Sequence, residues 1–325
     1  MPSFRTEINC SPTQPIELHH NLITMGSCFA DQLGAQLKQN KFPILVNPFG
    51  TCYNPISIHQ LLIQAWDENL DDRIVTERDG YWYHHDYHSQ FTATSREALI
   101  TQLREQQQAV KKMLMKADVL LVTYGTAWIY ELKPDNRVVS NCHKVPAAQF
   151  TKRLLSVAEI VDSFHKQFER LKSARPSLRI IMTVSPVRHI KDTLELNSVS
   201  KSVLRLAAHE VQQLPEVDYF PAYELVLDDL RDYRFYQRDL IHPSDEARDY
   251  VYEKFSNRYL TDSTRKLIAT LQEIQRALNH KPFQIASAAH QKFLHETVLR
   301  LESIQDRIPV QAELEQVRRQ LNTHG

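Results

Sequence analysis

The chain has 325 residues, room for one large domain with an appendage or for two small domains. Its composition, 42% hydrophobic and 24% charged, excludes disordered and fibrous classes. Lys plus Arg balance Asp plus Glu at 39 each, so no net field draws in nucleic acid or an anionic membrane. Only six glycines occur, where average usage predicts about 23; those present should mark positions where no other residue fits.

Met1 to Ile8 has no apolar run, and no stretch reaches the ~18 apolar residues of a membrane span, so neither a secretion signal nor a transmembrane helix is expected. Leu22 to Met25 reads as a first strand, followed through a tight turn by a helix with Phe29, Leu33 and Leu37 on one face. Phe42 to Val46 predicts a second strand, and a helix follows from about Pro55 to Trp66. The polar, aromatic stretch 71–91 reads as an irregular excursion. A helix is expected over 95–116, then the strongest buried-strand signal, Ala117 to Thr123. A helix over about 156–171, a fourth strand over 178–184, a helix over about 198–213, a fifth strand over 217–220 and a helix over 244–258 complete the series. Strands alternating with helices imply a parallel sheet covered on both faces.

After about Tyr259 the strand signals stop. Three helical stripes follow, Leu267, Leu271, Ile274 and Leu278, then Leu294, Val298 and Leu301, then Leu314, Val317 and Leu321. The expected division is a domain over 1–259 and a helical appendage over 260–325, read either as a hairpin packed on the sheet domain or as an arm for homo-oligomerisation.

In an open parallel sheet the ligand crevice lies beyond the carboxyl ends of the strands. The first exit carries Gly26-Ser27-Cys28-Phe29-Ala30, the second Asn47-Pro48-Phe49-Gly50 with Asn54 beyond it, the third Tyr124-Gly125-Thr126-Ala127-Trp128, and the fourth Ser185-Pro186-Val187-Arg188-His189. Past the fifth lies Asp239-Leu240-Ile241-His242-Pro243. A serine at a strand-to-helix turn meets the free N–H groups of the helix, and Asp239 with His242 offers the carboxylate and base that a serine nucleophile needs. A second D-x-x-H, Asp162 to His165, falls inside a predicted helix and reads as structural.

Cys10, Cys28, Cys52 and Cys142 stand without C-x-x-C spacing, which disfavours a zinc ribbon or dithiol site and makes a reducing cytoplasm the simplest compartment. Cys28 is expected to pack inward if Ser27 faces the crevice, and adjacent Cys142 and His143 are not expected to form a dyad. In the cluster His84, His85 and His88, His84 and His88 would share one face of a helix but find no third zinc ligand of suitable spacing, and His88 with the aromatics around it reads as a crevice wall or sheet-edge cap. No metal or cofactor is expected. His143 and Lys144 are candidate substrate contacts; Arg188 would clamp an anionic group or pair with a helix carboxylate; His189 is a rival base to His242.

The pentapeptide Gly26 to Ala30 and the blocks Asn47 to Gly50, Tyr124 to Trp128, Asn141 to Lys144, Ser185 to His189 and Asp239 to Pro243 resemble the GSCFA family, of the SGNH/GDSL-type hydrolases, over roughly residues 20 to 250. The resemblance implies a three-layer α/β/α sandwich with a parallel five-stranded sheet of flavodoxin-like order and esterase chemistry. Ser27 would be the nucleophile, His242 the general base, Asp239 its carboxylate partner, and the N–H groups of Ser27 and Gly50 oxyanion donors. Such hydrolases usually present an asparagine in the third block, and this chain departs from that: Gly125-Thr126-Ala127-Trp128 has none. Thr126, Asn54 and Asn141 are the candidates to replace it. The implied function is hydrolysis of a small-molecule or glycan ester through an acyl-serine, with an O-acyltransferase and a non-catalytic ligand-binding or scaffold protein as alternatives.

Overall fold

A computed structural model describes residues 6–133, 135–279 and 287–323. Five strands, β1 (Leu22–Gly26), β2 (Ile44–Val46), β5 (Val119–Tyr124), β9 (Arg179–Val184) and β10 (Val217–Tyr219), form one all-parallel sheet. Their order, β10-β9-β5-β1-β2, puts β1 at the point where the winding reverses, which is where an open α/β sheet leaves a crevice.

Alternation along each strand divides the core into two layers. On β5, Leu120, Val122 and Tyr124 face α2 (Pro55–Asp67), α3 (Arg96–Leu114), α4 (Val157–Ala174) and α5 (Leu194–Val211). Val119 and Leu121 face the other way, onto α1 (Cys28–Gln39) and α7 (Asp245–Tyr259). Beside α7 lies the short turn α6 (Ala222–Glu224), which runs on as a wider helical turn over Leu225–Leu230. The helices start where side chains cap them: Ser95 accepts from Ala98 N–H, Ser156 and Glu159 form a reciprocal capping box, and Ser244 accepts from Ala247 N–H.

Among the described residues, five further strands lie outside the alternating pattern. The stretch read as irregular contains the hairpin β3 (Val75–Arg78) and β4 (Tyr81–His84). After β5 the chain builds an antiparallel sheet, β7 (Arg137–Val139), β6 (Trp128–Leu132) and β8 (Phe150–Leu154), before re-entering the main fold at α4.

The last three helices, α8 (Asp262–Asn279), α9 (Ala288–Glu302) and α10 (Gln311–Thr323), enclose an apolar cluster of their own that includes Leu271, Leu294, Leu301, Leu314 and Val317. They dock on the sheet domain through Ile268, a hydrogen bond from Gln272 to Asn40 and an ion pair between Lys41 and Glu313 at 2.6 Å. Gly325 lies outside the described residues. Among the described residues, no helix is long and apolar enough to cross a membrane.

Candidate active site at the carboxyl edge of the sheet

Gly26 ends β1 with a φ of +139°, and a Cβ there would stand 2.1 Å from the Thr123 carbonyl oxygen. No other residue fits this turn from β1 into α1, packed against β5. Asn47, unremarked as an individual residue in the sequence, holds that turn from β2. Its Oδ1 accepts from Gly26 N–H at 2.8 Å, and its Nδ2 donates to Asp31 at 2.7 Å and to the Ser27 carbonyl at 3.4 Å. Asn47 itself takes a left-handed φ of +35°, a conformation asparagine tolerates better than most side chains.

Ser27 therefore sits as the N-cap of α1, with its Oγ accepting from Phe29 N–H at 3.3 Å, and it has no exposed surface. Cys28 does not pack fully inward as expected. It is half-buried, with Sγ 3.5 Å from the Tyr53 hydroxyl.

The loop after Tyr236 lies against the fourth exit, where Arg188 N–H donates to the Ile241 carbonyl at 3.2 Å. Asp239 accepts from Ile241 N–H and His242 N–H at 2.9 and 3.0 Å, and from His242 Nδ1 at 2.7 Å. These bonds hold its carboxyl at a pKa of about 2, the His242 contact contributing most. An ionised Asp239 fixes the proton of a neutral His242 on Nδ1 and leaves Nε2 as the acceptor. Pro243 bridges to Tyr236, Gln237 N–H donates to the His242 carbonyl at 2.7 Å, and Leu240 takes a left-handed φ of +58°. The Arg188 guanidinium lies 3.9 Å from the Tyr236 ring centroid and donates to the Leu240 carbonyl, which braces this loop. Among the described residues no hydrogen bond joins Ser27 to His242.

The expected oxyanion donors are mostly engaged elsewhere. Gly50 N–H donates to the Asn47 carbonyl at 2.8 Å, closing the turn after β2, and Ser27 N–H donates to the Thr123 carbonyl at 3.2 Å. Asn54 is the N-cap of α2, its amide bonded to Ser57 N–H and Ser57 Oγ. Thr126 Oγ1 accepts from Trp128 N–H and pairs with Ser200. Asn141 Oδ1 accepts from His143 N–H. These polar groups serve capping and turn closure, a competition between local structure and function that spacing alone does not reveal.

Gly125 and Thr126 donate their N–H groups to the Tyr53 carbonyl at 2.7 and 3.0 Å, tying the third exit to the second. Lys201 on α5, not predicted, is 1% exposed and reaches the Gly125 and Ser185 carbonyls, both at 2.7 Å. It fastens the third exit to the fourth. Burial pulls its pKa down to about 7.

His143 and Lys144 take left-handed φ values of +48° and +58°. The His143 ring stacks on Tyr83 and its Nε2 contacts the His84 carbonyl at 2.9 Å, while burial lowers its pKa to about 4. His84 and His85 bond to the carbonyls of Asp71 and Asn141, and His88 packs against Gly50. Burial raises the pKa of Cys142 beside them. Asp162 to His165 lies within α4. A cleft of about 530 Å³ runs between the crevice and the antiparallel sheet, with Tyr53, Trp128, Tyr130, His143, Lys152 and His189 among its walls.

The model of the GSCFA family matches residues 21–255, and that of the GSCFA domain protein, C-terminal domain, matches residues 271–323. No curated protein sequence matches the chain. Among solved structures, a carbohydrate esterase family 3 protein from Talaromyces cellulolyticus is 10% identical, with a TM-score of 0.35 over 78% of this chain and 99% of that one. An acetyl xylan esterase from the rumen bacterium Butyrivibrio proteoclasticus is 11% identical, with a TM-score of 0.37 over 79% of this chain and 66% of that one. Likeness at that level leaves the chemistry to be argued from the residues of this chain.

Proposed function

The chain belongs to the GSCFA family, and on that premise we propose that it is a serine-dependent carboxylic ester hydrolase. The observation that carries the reading is the 2.7 Å bond between His242 Nδ1 and Asp239, set at the same sheet edge where the Gly26 turn presents Ser27.

Ser27 Oγ attacks the ester carbonyl carbon while His242 Nε2 takes its proton. The tetrahedral adduct collapses, the C–O bond to the alcohol breaks, and the imidazolium returns the proton to the departing alkoxide. Water then attacks the acyl-Ser27, with His242 again as base, and a carboxylic acid leaves. Asp239 holds the tautomer and offsets the charge of the imidazolium. Trp128 and Tyr130 in the cleft wall suit an acylated sugar ring or another small ester.

One observation favours a second reading, a ligand-binding protein without turnover: Ser27 Oγ is buried and capped onto Phe29 N–H. Attack requires the crevice to open around it. A fluorophosphonate probe and a panel of aryl and sugar acetates distinguish the two. The expected result is labelling at Ser27 and hydrolysis lost in Ser27→Ala. A folded protein that neither labels nor turns over any ester supports the second reading.

A further inference from the structure

The crevice is short of free oxyanion donors. The N–H groups of Ser27 and Gly50 already have acceptors, Asn54 and Thr126 are held in a cap and a turn, and Lys201 is occupied by two carbonyls. Two buried polar atoms in the cleft walls stand differently, His143 Nδ1 and His189 Nε2, and it is the second that lies against Gly125 at the third exit. Among the described residues, His189 Nε2 is buried without a hydrogen-bond partner, and a buried polar group left unpaired is destabilising until a partner meets it.

Its position is specific. A Cβ on Gly125 would lie 3.2 Å from His189 Nε2 and 3.1 Å from the Tyr53 carbonyl, so the imidazole fills the space a side chain at position 125 would take. The backbone N–H of His189 donates to Asn197 Oδ1 at 2.8 Å, which anchors the residue, and the ring meets Tyr53 edge-on at 5.3 Å, the same Tyr53 whose hydroxyl reaches Cys28 beside Ser27. Burial, with Lys201 and His242 close enough to oppose a further positive charge, pushes its pKa down to about 3. An imidazole whose pKa is lowered this far is a poor base, but one of its nitrogens still carries a proton and can donate it in a hydrogen bond.

We infer that His189, with its proton on Nε2, donates a hydrogen bond to the oxyanion of the tetrahedral intermediate, taking the part left vacant by the missing third-block side chain. The donor comes from the β9 exit instead of the β5 exit, and Lys201 keeps the two exits in register. No bond to His189 forms or breaks; it touches the reacting oxygen and leaves proton transfer to His242. The inference rests on the proposed hydrolase reading.

The test measures the rate of Ser27 phosphonylation by a fluorophosphonate, whose P=O occupies the oxyanion position, and kcat on an aryl acetate. The variants are His189→Ala and His189→Asn. His189→Ala is expected to slow both by about 10²–10³-fold with KM little changed, the loss seen for one oxyanion donor. His189→Asn, which restores a neutral side-chain donor, should recover part of it. The pH dependence should keep its shape in both variants, because the base is still present. Wild-type labelling with His189→Ala equally fast overturns this inference and leaves the hydrolase reading standing. A pH limb lost with His189, and not rescued by asparagine, also overturns it by making His189 the base. Absence of wild-type labelling overturns the hydrolase reading and this inference together. If His189→Ala does not melt cooperatively, the comparison between wild type and His189→Asn decides: a fall in rate of about 10²-fold or more in a folded His189→Asn sinks the donor role, and a smaller fall supports it.

Discussion

Asp239 and Asn47 show how the residue scale divides between what spacing announces and what contact decides. Asp239 and His242 are three apart, and the turn brings them to 2.7 Å because Asp239 also accepts two backbone N–H groups from the same loop. Asp239→Asn keeps the shape and loses the charge, and the carboxamide favours the wrong imidazole tautomer. Ester turnover is expected to fall by at least 10²-fold, toward the about 10⁴-fold seen when a triad carboxylate is neutralised, with the melting temperature little altered. Unchanged kcat in that variant would sink the role given to Asp239. Asn47 announces nothing of the kind. Its residue type fits a turn, and only the fold reveals that its amide joins Gly26, Ser27 and Asp31 at the nucleophile turn. The same applies to Leu240: a β-carbon residue in the left-handed region carries a cost, and the loop accepts it where the chain has no glycine to offer.

At the scale of elements, the alternating strands and helices were legible because β1, β5 and β9 are buried on both faces and read as continuous apolar runs. The hairpin β3–β4 and the sheet β7-β6-β8 were not. Their strands are three to five residues long and half-exposed, so no run of hydrophobic residues marks them. Buried polar side chains between elements were equally silent. His59 on α2 lies between Tyr124 of β5 at 2.7 Å and Ser163 of α4 at 2.8 Å, and full burial lowers its pKa to about 3. In the unfolded chain it titrates near 6.5. Between those values the unfolded state holds a proton that the native state does not, so the stability His59 contributes is complete above pH 6.5 and is lost as pH falls toward 3. His59→Gln keeps polar contacts without the titration. Urea unfolding between pH 6 and pH 4 should show a pH slope shallower than wild type by up to one proton, about 1.4 kcal/mol per pH unit; identical slopes would exclude His59 as a contributor.

On the scale of the whole molecule, the helices past Thr261 have a core of their own and a narrow seam against the sheet domain. Val317 is fully buried in that core, and Val317→Asp places an unpaired carboxylate there. The helical module should then unfold before the sheet domain. Limited proteolysis of the variant is expected to digest α8 to α10 first and leave a fragment ending near residue 260; loss of both at one temperature would mean a single cooperative unit. By itself the sequence determined the five strands and the helices between them, because hydrophobic period and strand burial are local and repeat along the chain. Gly26, Gly50 and Gly125 marked the exits of three strands in a chain with few glycines. Tertiary structure alone decided which polar atoms at the strand exits are already engaged and which are not. Hydrogen-bond partners come from residues tens of positions apart, as with Lys201 and Gly125 or Asn197 beside His189, and a residue's type states what it can donate or accept without saying whether a nearer group has already claimed it.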